Sequence, residues 1–73
     1  MTIGQFLREY RTKHLYTQEE MAEKIDVSRP FYVNLEGQRA VCGARALNNI
    51  AKRTKATKEK VFEMNEEQRK LLK

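Results

Sequence analysis

Apolar residues recur along most of the chain at the three- and four-residue spacing of α-helices. Ile3, Leu7 and Tyr10 fall on one helical face near the start of the chain. Leu47 and Ile50 share a face in its second half. No stretch shows the two-residue alternation that is typical of a half-buried β-strand. The pattern therefore predicts an all-α fold.

Three short sequence signals mark where helices begin. In each, a threonine or asparagine is followed three positions later by glutamine or glutamate, so that the two side chains can satisfy each other's free backbone amides. The pairs are Thr2 with Gln5, Thr17 with Glu20, and Asn65 with Gln68. The third pair predicts either a short sixth helix or a frayed tail over residues 65–73. The domain itself is then expected to cover residues 1–64.

Three further helix boundaries follow from local residues. Ser28 is an N-cap residue, and Pro30 lies in the first turn after it, where its missing N–H costs little. The helix that follows is expected to end near Gly37, which can take the left-handed conformation. Thr57 is expected to open a helix whose Val61 and Phe62 close the core.

Two longer helices complete the expected set of five. One covers residues 3 to about 14, and the other covers residues 44–54. Between the first of these and Gly37, residues 17–36 combine a helix of about seven residues, a turn of three to four residues and a second helix. This is the spacing of a helix-turn-helix.

The stretch 17–36 resembles the lambda-repressor and Cro-like family of small helix-turn-helix regulators. The matching residues are Thr17, Gln18, Glu19, Glu20, Ala22, Val27, Ser28, Arg29, Leu35 and Glu36. The similarity extends more weakly over residues 3–62, and it implies a compact five-helix DNA-binding domain. Asp26 stands where the turn of this family usually has glycine, so the left-handed turn is expected to fall on an aspartate.

Composition and charge agree with such a domain. Seventy-three residues make one small domain. Fifteen lysines and arginines against ten acidic residues give a net charge of +5, and a basic module favours a polyanion such as nucleic acid as its partner. The charge is uneven: residues 17–27 carry −3, whereas residues 38–60 carry +6. The loop after Gly37 and the fourth and fifth helices are therefore expected to suit phosphate, whereas the outer face of the second helix is not.

The sequence contains few residues that could bind a metal, form a disulfide or carry out catalysis. One cysteine, Cys42, and one histidine, His14, exclude a disulfide within the chain and a four-ligand zinc site. No catalytic constellation or phosphate-cradling glycine loop is present, so we expect neither an enzyme nor a cofactor. The first ten residues contain acid and base and no long apolar run, which indicates neither a signal peptide nor a membrane span. A reducing cytoplasm is the expected compartment.

The helix after Ser28 carries the candidate base contacts, because the second helix of a helix-turn-helix enters the major groove. Its outward residues are Arg29, Pro30, Val33 and Asn34. Arginine suits guanine, asparagine suits adenine, and an apolar side chain suits the thymine methyl group. The alternatives are a phosphate contact for Arg29, core packing for Val33 and simple solvation for Asn34.

Candidate phosphate contacts flank this helix. The resemblance implies that Gln18 and Arg39 contact the DNA backbone on either side of the groove. Ser28 caps its helix, contacts phosphate, or does both. Arg45, at the start of the fourth helix, is a further candidate.

The resemblance also implies a salt bridge between Arg11 and Glu36, with Arg11 facing the DNA backbone as well. A partly buried pair is favoured over an exposed one. If it is buried, removing either member leaves an unpaired charge and costs on the order of 3–5 kcal/mol at full burial.

These observations predict a sequence-specific transcriptional regulator, a repressor that binds a palindromic operator as a homodimer. The candidate dimer surfaces are the region of the fourth and fifth helices and the tail at Leu71 and Leu72, with Phe6 as a further possibility. One alternative is an antitoxin-type module that binds a protein partner and contacts DNA secondarily. Another is a nonspecific nucleic-acid coating protein.

Overall fold

The computed structural model describes residues 1–72, and five α-helices account for most of them. They are α1 (Ile3–Lys13), α2 (Gln18–Lys24), α3 (Arg29–Glu36), α4 (Ala44–Thr54) and α5 (Lys58–Leu71). These residues contain no β-strand. The prediction of an all-α fold with a helix-turn-helix, formed by α2 and α3, is confirmed.

Side-chain caps explain where four of the helices begin. The side chains of Thr2, Thr17, Ser28 and Thr57 each accept a hydrogen bond from the backbone amide three residues later. At Thr2 and Thr17 the glutamine or glutamate side chain also bonds back to the cap amide. Because these contacts are local, they could be predicted from sequence.

Four helix ends place a residue other than glycine in the left-handed conformation. Leu15, Asp26, Gln38 and Lys55 have φ angles of 60°, 59°, 61° and 64°. The expectation for Asp26 is thus confirmed. The helix ends at Gly37 as expected, but the left-handed conformation expected of Gly37 is wrong, because Gly37 has a φ of −77° and the next residue, Gln38, turns the chain.

The core lies where the five helices meet. It contains Ile3, Leu7, Met21, Ala22, Ile25, Tyr32, Leu35, Cys42, Ile50, Ala51, Val61 and Met64. Phe62 was expected there, but it is 55% exposed. Because Phe62 follows Val61 by one residue, it lies about 100° further round the helix. Met64 takes the inward position instead.

α5 is one continuous helix through Leu71, so the predicted capping box at Asn65 and Gln68 does not form. Both residues share the inward face with Val61 and Met64, and both are buried. The helix passes the position between residues 64 and 65 without a break. In place of a separate sixth helix, α5 therefore packs against the rest of the domain as far as Gln68, whereas its last residues are exposed; residue 73 of the predicted tail lies outside the described residues.

Gln68 joins three segments of the chain. Its Oε1 accepts a hydrogen bond from the Gly4 amide at 2.8 Å. Its Nε2 donates to the carbonyl oxygens of Leu35 at 3.0 Å and Ala40 at 2.6 Å. A Cβ at Gly4 would lie only 2.4 Å from the Leu35 carbonyl oxygen, so glycine allows α1 to approach the end of α3.

Asn65 holds the loop between α3 and α4 in the same way. Its Oδ1 accepts from the backbone N–H of Cys42 at 2.8 Å, and its Nδ2 donates to the Cys42 carbonyl at 3.1 Å.

Burial raises the pKa of the Cys42 thiol to about 12, so this thiol stays protonated and unreactive at neutral pH.

Candidate nucleic-acid interface

The inner face of α3 fixes the helix on the domain. Tyr32 and Leu35 are fully buried in the core, and the Ser28 hydroxyl accepts a hydrogen bond from the Phe31 amide at 3.2 Å. The cap sets where the helix begins, and the two buried side chains set which face turns outward. Ser28 thus acts as a helix cap, as one of the alternatives predicted.

The outer face of α3 carries the four residues predicted to contact bases. Arg29, Pro30 and Asn34 are exposed, and Val33 is half-buried. None of the four is enclosed by the core, so packing does not account for Arg29 or Asn34. The structure therefore brings the candidate base contacts together on one accessible surface.

A shallow cleft runs beside this surface, between α1, α2 and the end of α3. It is lined by Arg8, Arg11, Gln18, Val33, Glu36, Gly37 and Arg39. Three of the predicted phosphate contacts, Arg11, Gln18 and Arg39, lie here. Arg8 was not predicted, although it lies three residues before Arg11 and therefore on the same side of α1.

Arg11 and Glu36 form a partly buried, two-point ion pair in the cleft. Arg11 Nε lies 2.6 Å from Glu36 Oε2, and its Nη2 donates to Oε1 at 3.1 Å. The side chains are only 17% and 6% exposed. The third guanidinium nitrogen, Nη1, donates to the Tyr16 carbonyl at 3.1 Å. The prediction of a partly buried pair is confirmed, and the pair links α1 to α3.

Gln18 also bonds to the Glu36 carboxylate, donating from Nε2 to Oε1 at 3.3 Å. Burial by itself raises the pKa of Glu36, but the hydrogen bonds from Arg11 and Gln18 and the positive charge of Arg11 outweigh it. The net result is a lowered pKa for Glu36. The carboxylate therefore stays ionised and continues to hold the first residue of α2 near the last residue of α3.

Arg39 is held against the end of α3. Its backbone amide donates to the Asn34 carbonyl at 2.8 Å, and its Nε donates to the Asn34 side-chain Oδ1 at 3.3 Å. The amide of Gln38 completes the turn by donating to the Leu35 carbonyl at 3.1 Å. This hydrogen-bond pattern is a Schellman motif, which folds the chain back over the helix end.

A comparison with protein-family models matches residues 4–67 to the family described as "Helix-turn-helix domain". The chain belongs to this family. The resemblance to lambda-repressor and Cro-like regulators agrees with the match. Comparisons with curated proteins and with solved structures give no match.

Membership of the helix-turn-helix family indicates a DNA-binding regulator, a non-enzymatic kind of protein. The match covers α1 to most of α5, including Asn65 and the interface just described. Within residues 1–72, each helix is too short or too polar to span a lipid bilayer.

Arg45 has a different environment from the arginines of the cleft in this helix-turn-helix domain. It forms an ion pair with Asp26, the left-handed residue of the turn between α2 and α3. The two side chains are 76% and 69% exposed. Arg45 lies outside the cleft, and although Asp26 compensates its charge as Glu36 compensates that of Arg11, the Arg45 pair is far more exposed to solvent.

Proposed function

We propose that this helix-turn-helix domain is a sequence-specific regulator of transcription that inserts α3 into the major groove of double-stranded DNA. The observation that carries the proposal is the exposed outer face of α3 next to a cleft lined by arginines. An exposed helix with polar and apolar tips fits the major groove, and cations beside it suit the phosphates that flank the groove.

Each residue of the outer face has a proposed base. Arg29 binds guanine through O6 and N7, and Asn34 binds the major-groove edge of adenine. Val33 and Pro30, which cannot donate hydrogen bonds from their side chains, contact a thymine methyl group or the sugar beside it. These contacts recognise about three base pairs, which is too few to define an operator.

The proposed phosphate contacts surround α3. Gln18 and Arg39 contact the two backbones that border the groove, and Ser28 adds a hydroxyl at the start of the helix. Arg11 contacts phosphate as well, through guanidinium N–H groups that are not bonded to Glu36 or to the Tyr16 carbonyl. Arg45 contacts phosphate by exchanging its bond to Asp26 for one to DNA.

A homodimer solves the problem of the short half-site. Two copies related by a two-fold axis present their α3 helices about 34 Å apart, on successive turns of a palindromic operator. Phe62, an apolar residue of α5 that is 55% exposed, favours this helix as the contact between the copies. The dimer bound at a promoter then represses by excluding other proteins from the DNA.

Selection of bound sequences from a random DNA pool tests the proposal. The expected result is an enriched palindrome whose half-sites are separated by one helical turn. Arg29→Ala should then weaken binding to that sequence by roughly 1–3 kcal/mol and have a much smaller effect on random DNA.

Lys13→Ala is the matched control, because Lys13 is an exposed cation at the end of α1 that does not line the cleft and its removal changes the net charge equally. It should affect both DNAs slightly and to the same extent. Equal losses on selected and random DNA for Arg29→Ala would instead indicate nonspecific coating.

A second candidate function has its own observation. Met1 and Phe62, each 55% exposed, border an open groove along α5 whose other lining residues include Lys60, Glu63 and Lys70. A groove in which exposed apolar residues stand among charged ones can bind a protein partner, and it favours an antitoxin-type module. A stoichiometric partner that survives nuclease treatment and is lost with Phe62→Glu would promote this alternative.

A further inference from the structure

We infer that Arg39 determines which base Asn34 recognises, by fixing the orientation of the Asn34 amide; the inference rests on the proposed function. Sequence patterns give Arg39 only the role of a phosphate contact. The structure joins the two residues at two points, because the Arg39 backbone amide bonds to the Asn34 carbonyl and its Nε bonds to the Asn34 Oδ1.

The guanidinium of Arg39 packs against the backbone of Gly37. A Cβ built at Gly37 would lie 2.7 Å from Arg39 Nη1 and 2.9 Å from its Cζ. The guanidinium therefore lies directly against the backbone of Gly37, where a side chain would stand. Gly37 has a φ of −77°, so its conformation does not require glycine. The missing side chain is needed for the position of Arg39.

The hydrogen bond from Arg39 has a chemical consequence for Asn34. An asparagine amide has one accepting and one donating end, and the two differ only by a 180° rotation. With Oδ1 turned to Arg39 Nε, the amide presents its Nδ2 donors outward. Nδ2 then faces adenine N7, and the second lone pair of Oδ1 remains available to the N6 donor of adenine, whereas the flipped amide would set its oxygen against N7 and would match the N4 donor of cytosine instead.

Lysine at position 39 separates the two roles of Arg39. It keeps the positive charge that a phosphate contact needs, but it has neither the Nε–H nor the planar guanidinium that lies on Gly37. The Arg39→Lys variant should therefore hold DNA while leaving the Asn34 amide free to rotate.

The experiment measures dissociation constants for the selected operator, for three operators changed at the base pair read by Asn34, and for random DNA. That base pair is the one whose preference is lost in Asn34→Ala. In Arg39→Lys we expect binding to random DNA to stay within about twofold of wild type. Discrimination at this base pair should fall about tenfold. Adding Arg39→Lys to Asn34→Ala should reduce discrimination no further.

Gly37→Ala provides an independent variant that leaves both interacting side chains in place. Its Cβ meets only the end of a flexible side chain, so the thermal unfolding midpoint should be unchanged while discrimination falls as in Arg39→Lys. Gly43→Ala is the matched control, because a Cβ there meets no described atom within 4 Å. It should leave discrimination intact.

Full discrimination in Arg39→Lys or in Gly37→Ala would overturn the inference and leave the proposed function standing. If Asn34→Ala changes no base preference, the inference fails together with the proposed adenine contact, while sequence-specific binding by the rest of α3 stands. If wild-type protein binds all of these duplexes equally, both the inference and the proposed function fail.

Discussion

The two sides of the last turn of α3 are held by opposite kinds of polar contact. On the cleft side, the positively charged Arg11 forms an ion pair with the Glu36 carboxylate. On the α5 side, the uncharged Gln68 amide binds the Leu35 carbonyl and two other backbone groups in a fully buried site. Burying a neutral amide with all its bonds satisfied avoids the desolvation cost of ions. The comparison indicates that charge is used on this helix only where solvent still reaches it.

Removing the buried amide should have the largest effect. Gln68→Leu leaves the Gly4 N–H and the Ala40 carbonyl without partners in a closed site, and each such group costs about 1–3 kcal/mol. The expected loss in the free energy of unfolding is about 4 kcal/mol, measured by urea denaturation. Arg69→Leu, at the next and exposed position, should cost less than about 0.5 kcal/mol. Similar losses for both would contradict the role of Gln68.

Removing the charge on the cleft side should have a smaller effect. Glu36→Gln leaves Arg11 without its counter-ion, and because Arg11 remains 17% exposed, the expected loss is about 2 kcal/mol, below that of a fully buried pair. Asp26→Asn breaks the other ion pair of the helix-turn-helix, whose side chains are mostly exposed, and should cost less than about 1 kcal/mol. If Glu36→Gln lowered the free energy of unfolding as little as Asp26→Asn, burial would add nothing to the stability contributed by the pair of Arg11 and Glu36.

Acid pH should weaken the Glu36 contact on the cleft side of α3 and leave the Gln68 contact on the α5 side unchanged. The pKa of Glu36 is lowered below 4.5 in the folded protein, so its contribution to stability is complete above about pH 4.5. That contribution is lost as the pH falls through the folded-state pKa. Unfolding measured between about pH 3 and pH 7 should therefore show a weaker dependence in Glu36→Gln than in wild type. Gln68→Leu should keep the wild-type slope, and an unchanged slope in Glu36→Gln would assign the acid dependence to other carboxylates.

The smallest effect is expected at Gln38, which ends α3 in the left-handed conformation. Gln38→Gly relieves about 1 kcal/mol of backbone strain but removes the hydrogen bond from the Thr2 hydroxyl to Gln38 Oε1. Since that bond contributes about 1 kcal/mol, the thermal midpoint should barely change. Leu15→Gly relieves the same strain at a side chain that is 89% exposed and should raise stability by about 1 kcal/mol. Equal gains in both variants would show that the Thr2 bond contributes nothing.

Most of the fold could be predicted from sequence because the deciding contacts are local. The caps at Thr2, Thr17 and Ser28 involve residues three positions apart, and they gave the starts of α1, α2 and α3. The ion pair of Arg11 and Glu36 required the family resemblance, since no local pattern joins residues so far apart.

The end of α5 could not be predicted, because one residue pattern has two structural meanings. Asn65 and Gln68 have the spacing of a helix cap and also the spacing of one buried helical face. Only the backbone groups of Gly4, Leu35, Ala40 and Cys42, which lie elsewhere in the sequence, decide between them.

The positions of the candidate interface residues could be predicted from sequence more completely than the hydrogen bonds between them. The outward set on α3 followed from helical spacing after Ser28. The bond between Arg39 and Asn34 was missed, because it depends on the chain turning at Gln38 rather than at Gly37. Had the turn occurred one residue earlier, the Arg39 amide would not have met the Asn34 carbonyl.

The bond between Gly4 and Gln68 spans 64 residues of the chain, and it bears on how the protein forms during translation. An emerging chain can build α1, α2 and α3 early, since their caps are local. The amide near its beginning still has no partner until position 68 has left the ribosome. Final closure of the domain is therefore a late event, and chaperones that recognise incomplete cores can act on the chain until then.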